Sequence, residues 1–336
     1  MYILGIESSC DETSAAVVEM EEGRCRILSN IVASQIDVHR LYGGVVPEIA
    51  SRAHIEAISR ITYEALEKAG LKINDIGVVA VTAYPGLIGA LLVGVNFAKS
   101  LAFSHNIPLV AVNHVKAHVA AAYLTNEALC PPFTALVVSG GHTSLYSVSD
   151  YTDFKEIGGT RDDAAGEAFD KIGRVIGLPY PGGAAMDKLA YEGDPRAIDL
   201  PSPALVGDNL DFSFGGIKTA ALNHINSETQ KGHEINAANI AASYTKKIVD
   251  AITKKTSIAM DRADTKKLVL AGGVAANSHL RKALEDMCNK KSFEFVTPPI
   301  KLCGDNAAMV AAAGYFEYIK GNLSDTALNA SACDLI

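Results

Sequence analysis

Apolar residues recur along this chain in two rhythms, and the switches between them outline the elements. Ile3-Leu4-Gly5-Ile6 and Ala15-Ala16-Val17-Val18 are short apolar runs flanking a polar stretch, which predicts a hairpin, and 25–33 adds a third strand. The spacing then turns helical over 47–69, with Pro47 at its start, Gly70 at its stop, and Ile49, Ala53, Ile58, Ile61 and Leu66 between. Strand 77–83, helix 88–104, strand 108–113 and a helix over 114–125 follow, an alternation that calls for a sheet covered by helices.

The same order returns in the second half. Phe133 to Val148 is again an apolar run, a small-residue turn and an apolar run. Helix 236–262, strand 267–271, helix 276–289, strand 293–297 and helix 305–320 repeat the series seen over 47–125. The chain therefore reads as an α/β duplication: an N-terminal lobe over 1–130 and a C-terminal lobe over 131–336. A Pro-, Asn-, Asp- and Gly-rich insertion at about 195–233 carries Leu210-Asp211-Phe212-Ser213-Phe214-Gly215-Gly216-Ile217-Lys218.

Composition narrows the function classes. With 336 residues, 49% of them hydrophobic, the chain can bury a core in each lobe. Thirty basic against thirty-eight acidic residues give a net charge of −8, which excludes gripping nucleic acid by overall charge. A nucleic-acid contact needs a local patch or a partner; Arg40, Arg52, Arg60, Lys246, Lys247, Arg281 and Lys282 are the scattered cations on offer. Six cysteines without a CxxC pair read as reduced thiols and a cytoplasmic protein. Met1 to Gly5 enters a strand without a basic leader, and Tyr84-Pro85-Gly86 splits the apolar run 78–98, so no membrane role is expected.

The candidate chemistry centres on His114-Val115-Lys116-Ala117-His118. On a helix, both imidazoles project from one face about a turn apart and can grip one metal ion. A reactive site needs a third protein ligand, and Asp305, in Cys303-Gly304-Asp305-Asn306 after a strand and before an Ala-rich helix, is the candidate. Zinc-protease chemistry would need a glutamate beside the first histidine, and Val115 stands there, which favours group transfer. The other histidines, among them His39, His54 and His142, lack such a partner and read as polar surface or supporting residues.

Ser139-Gly140-Gly141 lets backbone N–H groups approach an anion; alone, the same residues suit an ordinary hairpin turn. Ala271-Gly272-Gly273-Val274-Ala275-Ala276-Asn277 lies between a strand and a helix, where a nucleoside collects in α/β sheets. Asp11 and Glu12 sit in the opposing hairpin, either as solvated charge or as groups that order water or a cation or accept a proton.

These residues carry a resemblance. Gly5-Ile6-Glu7-Ser8-Ser9-Cys10-Asp11-Glu12-Thr13, Gly43-Gly44-Val45-Val46-Pro47-Glu48, Pro85-Gly86-Leu87, His114 to His118, Val138 to Thr143, Asp162 to Lys171, Tyr180-Pro181-Gly182-Gly183 and Ala271 to Asn277 together resemble the TsaD family, once called glycoprotease, over nearly the whole chain. The resemblance implies a duplicated actin-like, sugar-kinase-like (ASKHA) fold, with two lobes around a nucleotide and metal cleft. It implies transfer of a threonylcarbamoyl group from threonylcarbamoyl-adenylate to N6 of the adenosine beside the anticodon in tRNAs reading ANN codons, with release of AMP.

The family's metal ligands carry over to His114, His118 and Asp305, with iron the usual ion and zinc the alternative. Its substrate contacts carry over to Val137, Val138, Ser139, Gly140 and Gly141 on the phosphate side and to Asp170, Gly183, Asp187 and Asn277 around the nucleoside. Asp11 and Glu12 are the candidates for removing the N6 proton. Bacterial members work with a smaller paralogue of the same fold (TsaB) and a small ATPase (TsaE), so a heterodimer on the apolar faces of the first lobe, including helix 47–69, is expected. His142, and the lack of a tyrosine near Val137, resemble the bacterial type. The competing readings are a small-molecule kinase, detected by phosphoryl transfer from ATP; a metalloprotease, disfavoured by Val115; and a nucleotide-binding scaffold, which would need no metal.

Overall fold

Strand β1 (Tyr2–Glu7) is buried from Ile3 onward on both faces, as a central strand must be. Around it the computed structural model, which describes residues 1–21, 24–202 and 209–334, builds the first repeat. Its elements are β2 (Glu12–Glu21), β3 (Arg24–Ser34), α1 (Ile36–Arg40), α2 (Pro47–Ala69), β4 (Val78–Tyr84), α3 (Ile88–His105), β5 (Leu109–Asn113) and α4 (His114–Ala120). The second repeat contributes β6 (Phe133–Val138), β7 (Thr143–Asp150), β8 (Asp153–Gly159), α5 (Ala165–Val175), α6 (Gly182–Leu189), α7 (Gly215–Gln230), α8 (Ala237–Arg262), β9 (Lys267–Ala271), α9 (Ser278–Lys291), β10 (Glu294–Val296) and α10 (Ala307–Ile319).

Each repeat forms one five-stranded mixed sheet, and the two orders are equivalent: β3-β2-β1-β4-β5 and β8-β7-β6-β9-β10. In both, the first two strands pair antiparallel as a hairpin, and the fourth and fifth follow in parallel on the other side of the first. The expected duplication is therefore present strand for strand.

The described chain divides into two compact units, and the division differs from the expected lobes. The first unit holds Met1–Pro131, Asp150–Asp153 and everything from Pro298 onward; the second holds Pro132–Ser149 and Phe154–Thr297. The segment 298–336, counted with the C-terminal lobe in the sequence reading, thus belongs with the first sheet. Sequence order cannot reveal this, because Ala307 to Gly314 are buried on every face and give no sidedness. Helix α10 packs on β1, β2 and β4 so closely that a Cβ on Gly5 would overlap the Ala307 carbonyl.

Leu4, Ile6, Val79 and Val81 meet Ile58, Val95 and Ala98 in the core on the other side of this sheet. Among the described residues, α3 is the one helix long and apolar enough to cross a membrane. Its Leu91, Val95 and Ala98 are fully buried.

Three expectations need adjustment. The histidine helix stops at Ala120 and continues as turns, not to 125. The insertion at 195–233 includes a regular helix, α7, while its residues 203–208 lie outside the described residues. Strand β8 and helices α5 and α6 fill a stretch for which the pattern gave no element.

Candidate metal centre

Asn113 begins the local order. Its side chain caps α4 by accepting from the Val115 and Lys116 amides at 2.8 and 3.0 Å. This starts the helix at His114 and puts His118 on the same face one turn on. The two rings meet edge to face with centroids 4.7 Å apart. Asp305 reaches them from the start of α10, where Asn306 caps the helix by accepting from the Met309 amide and the Ala307 amide donates to Ser14 Oγ at 2.8 Å.

Asp305 Oδ1 stands 3.6 Å from His114 Nε2 and 3.2 Å from His118 Nε2. The candidate ligand atoms of His114, His118 and Asp305 all lie within 4.8 Å of one another. Ligands about 2.0–2.2 Å from a tetrahedral ion sit roughly 3.3–3.5 Å apart, so the carboxylate-to-imidazole spacings are close to those of a bound site. His118 supplies a second sign: it is 1% exposed, and neither ring nitrogen makes a hydrogen bond. A buried imidazole without hydrogen bonds is costly, and a metal ion is a partner that removes the cost for one nitrogen. The residues fit a divalent cation held by two nitrogens and an oxygen, with further positions open.

His114 is held differently. Glu7, buried at the end of β1, stands 3.1 Å from His114 Nδ1 through Oε2, which also accepts from Thr82 Oγ1 at 2.7 Å. Its Oε1 accepts from the Ser9 amide at 2.6 Å. Burial pushes the Glu7 carboxyl up, but the neighbouring His114 charge and hydrogen bond bring it below the usual range. Burial likewise pulls His114 down, and the Asp305 and Glu7 carboxylates outweigh it to hold the imidazole at about 9. The sequence reading missed Glu7, although a carboxylate closing the apolar run Tyr2 to Ile6 is itself a sign of a buried partner.

The turn between β1 and β2 carries Asp11 and Glu12 in the same unit. Asp11 is buried. Burial first, then the Asp305 and Asp11 carboxylates, push Glu12 up to about 10, so it holds a proton at neutral pH. The turn is fastened to α2 through His54. Its Nε2 lies 3.0 Å from the Cys10 carbonyl and its Nδ1 lies 2.7 Å from Thr13 Oγ1. A carbonyl can only accept, so Nε2 carries the proton and the Thr13 hydroxyl donates to Nδ1. Burial pulls His54 below the usual histidine range and keeps this neutral form. His39 is also fully buried, with Nε2 3.1 Å from Gln35 Oε1 and the Val46 amide donating to Nδ1. Both histidines are supporting residues of the turn's surroundings, not surface.

In the second unit, Val137 and Val138 are buried in β6 and have only backbone to offer a ligand. The turn beyond them is closed by Ser139: its amide donates to the His142 carbonyl at 2.7 Å, and its Oγ accepts from the His142 amide. Gly140 and Gly141 are exposed, and a Cβ built on either meets nothing within 4 Å. Asp170 Oδ1 accepts from the Gly183 amide at 3.1 Å, joining α5 to α6. Asn277 caps α9 by accepting from the Leu280 amide. Asp187 accepts from the Ser278 amide and hydroxyl and lies 2.9 Å from His279 Nδ1, so its carboxylate holds the start of that helix. The insertion motif docks in this unit too, with Asp162 accepting from Ser213 Oγ and the Phe214 amide, and Asp163 pairing with Lys171 and Lys218.

Comparison with known proteins gives a consistent result. The family model of TsaD, tRNA N6-adenosine threonylcarbamoyltransferase, matches residues 26–312. A tRNA N6-adenosine threonylcarbamoyltransferase of Clostridium botulinum (strain 657 / Type Ba4) is 53% identical over 328 residues, covering 98% of this chain and 96% of that protein. The one of Clostridium perfringens (strain SM101 / Type A) is 53% identical over 330 residues, with the same coverage of 98% and 96%. Among solved structures, component A of the (R)-2-hydroxyglutaryl-CoA dehydratase of Acidaminococcus fermentans superposes with a TM-score of 0.55 at 17% identity, covering 94% of this chain and 98% of that one. HypF of T. kodakarensis gives 0.64 at 13% identity, covering 97% of this chain and 49% of that one. These two speak for the fold alone: the duplicated actin-like, sugar-kinase-like α/β architecture.

Proposed function

The chain belongs to the TsaD family of tRNA N6-adenosine threonylcarbamoyltransferases, and from that premise we propose how its residues divide the work of transfer. It is a transferase that moves a threonylcarbamoyl group onto N6 of a tRNA adenosine. In our reading the donor is threonylcarbamoyl-adenylate, the acceptor is the adenosine beside the anticodon in tRNAs reading ANN codons, and AMP leaves. The bond from N6 to the carbamoyl carbon forms, the bond from that carbon to the phosphate oxygen breaks, and the N6 proton passes to a protein base.

The observation that carries the reading is the His114, His118 and Asp305 triad in a chain 53% identical to named transferases over nearly its full length. A divalent ion there, with iron the first choice and zinc the second, would supply Lewis-acid stabilisation of charge developing on the departing adenylate. The backbone amides of Gly140 and Gly141 would bind its phosphate, since no side chain blocks an anion's approach to them, while Ser139 closes the turn through the His142 carbonyl. Val137 and Val138 set the position of that turn. Asp170, Gly183, Asp187 and Asn277 form the nucleoside side, with Asp187 acting through the start of α9. Asp11 is the group offered to the N6 proton, because an exocyclic adenine nitrogen is a weak nucleophile until that proton is removed, and Glu12, which holds its own proton at neutral pH, is offered beside it as a hydrogen-bond donor.

The acidic net charge leaves tRNA binding in need of help. We assign that help to a smaller paralogous subunit (TsaB) and a small ATPase (TsaE), in the cytoplasm and without a membrane. The exposed Ile55 and Tyr63 on α2 offer the paralogue an apolar face. The test is transfer from synthetic threonylcarbamoyl-adenylate to an unmodified ANN-reading tRNA, with the chain alone and then with both partner proteins. Modified adenosine forming only when this chain is present supports the reading. Product forming without it, or none under any condition, overturns it.

A further inference from the structure

Two histidines one turn apart on one helix are not held alike. His118 has packing around it and no hydrogen bond to either ring nitrogen. His114 has a carboxylate behind it, and that carboxylate is itself fixed. Glu7 Oε2 faces His114 Nδ1 at 3.1 Å and takes the Thr82 hydroxyl at 2.7 Å, while Oε1 takes the Ser9 amide at 2.6 Å. A carboxylate at the end of β1 that accepts from a β4 hydroxyl and a turn amide cannot swing, and it is fully buried, so water does not compete.

From this geometry we propose that Glu7 is the positioning residue of the metal centre, holding His114 in the orientation and tautomer that present Nε2 to the ion, with Thr82 and Ser9 fixing Glu7 in turn. An ionised carboxylate is acceptor-only, so the ring nitrogen facing it keeps its proton, and the proton given up when a metal binds leaves the ligand lone pair on Nε2, the atom that faces Asp305 at 3.6 Å. A carboxylate hydrogen-bonded to the far nitrogen of a ligating imidazole also makes the near nitrogen a stronger donor to the metal. Glu7 touches neither ion nor substrate in this scheme and acts only through His114.

The inference rests on the metal reading above, and its test separates the two. The full-length chain, stripped of metal, is titrated with Co(II), and both the affinity and the visible ligand-field spectrum are recorded for wild type, Glu7→Gln and Thr82→Val. Glu7→Gln keeps size and an acceptor oxygen but loses the charge and lets the amide turn a donor toward the ring. We expect it to bind Co(II) about 10- to 100-fold more weakly with an altered spectrum, the range found when such supporting partners of metal ligands are removed. Thr82→Val keeps the shape of β4 and removes one donor from Glu7, and a severalfold loss is expected. A Glu7→Gln chain that binds within twofold of wild type, with the wild-type spectrum, overturns the role of Glu7 and leaves the metal centre standing. A wild-type chain that binds no Co(II) overturns the metal centre and the inference with it. Should Glu7→Gln fail to fold, Thr82→Val decides: wild-type affinity and spectrum there also overturn the inference.

Discussion

The hairpin turns of the two repeats occupy equivalent places in equivalent strand orders and carry opposite chemistry. The β1 to β2 turn presents Asp11 and Glu12 in a unit that also holds Glu7 and Asp305, and burial, with the Asp305 and Asp11 carboxylates beside it, pushes Glu12 up to about 10. The β6 to β7 turn presents Gly140 and Gly141, with no side chain and open space beyond each missing Cβ. Topology placed both turns, and a handful of residues made one acidic and left the other bare of side chains; in our proposal the first stands beside a cation and the second against an anion. The helices that follow the fifth strand of each repeat, α4 and α10, extend the lesson. They are equivalent in order yet both belong to the first unit, where one supplies two imidazoles and the other the carboxylate.

The contrast can be broken first at the cation side. Asp305→Ala or His114→Ala should lower threonylcarbamoyl transfer by about a thousandfold or more, since a Lewis acid contributes several kcal/mol to a charged transition state. The metal-free melting temperature should stay within a few degrees of wild type. Asp11→Ala should lower turnover by about a hundredfold while adenylate binding changes little, the pattern of a group that acts in proton removal. A pure binding defect would move Asp11 to the substrate shell.

The glycines sharpen the other side. Gly272 has φ +94°, and a Cβ there would overlap the Val138 carbonyl, so Gly272→Ala should cost about 2 kcal/mol or more in urea unfolding. Gly140→Ala should leave stability within about 0.5 kcal/mol and weaken adenylate binding roughly tenfold, because its Cβ would occupy space meant for an anion. Equal effects of the two substitutions on stability would make Gly140 an ordinary turn residue.

The smallest effect concerns Asp163. Burial raises its carboxyl, but the hydrogen bonds from Lys171 and Lys218 outweigh this and hold it below its usual range. A depressed folded value means the stabilisation is full above the unfolded pKa and is lost as pH falls through the folded one. Asp163→Asn should therefore cost about 1–2 kcal/mol near neutral pH, with the melting difference closing as the pH drops below about 3.8.

How far the sequence could be read depended on whether a residue's partner was local. The i,i+4 spacing of His114 and His118 is a helical fact and needs no tertiary structure. The duplicated hairpins were legible because alternation of apolar run and small polar turn survives without long-range context. Glu7 was legible only as a carboxylate that closes an apolar run, since its partners Thr82 and His114 lie far along the chain and only the fold brings them to it. The home of α10 was illegible for a different reason: a helix apolar on all sides fits any sheet by pattern alone. Helices α5, α6 and α7 fell in a stretch whose Gly and Pro content reads as loop, although Asp162 and Asp163 tie α7 back to the body of its unit.

The most direct test of the central claim is threonylcarbamoyl transfer to unmodified tRNA by chelator-stripped wild-type chain, with and without added Fe(II) or Zn(II), beside Asp305→Ala treated the same way. Transfer that disappears on stripping, returns with one of the ions in wild type and never returns in Asp305→Ala is the expected result. Undiminished transfer by the stripped chain or by Asp305→Ala would contradict a metal centre at His114, His118 and Asp305.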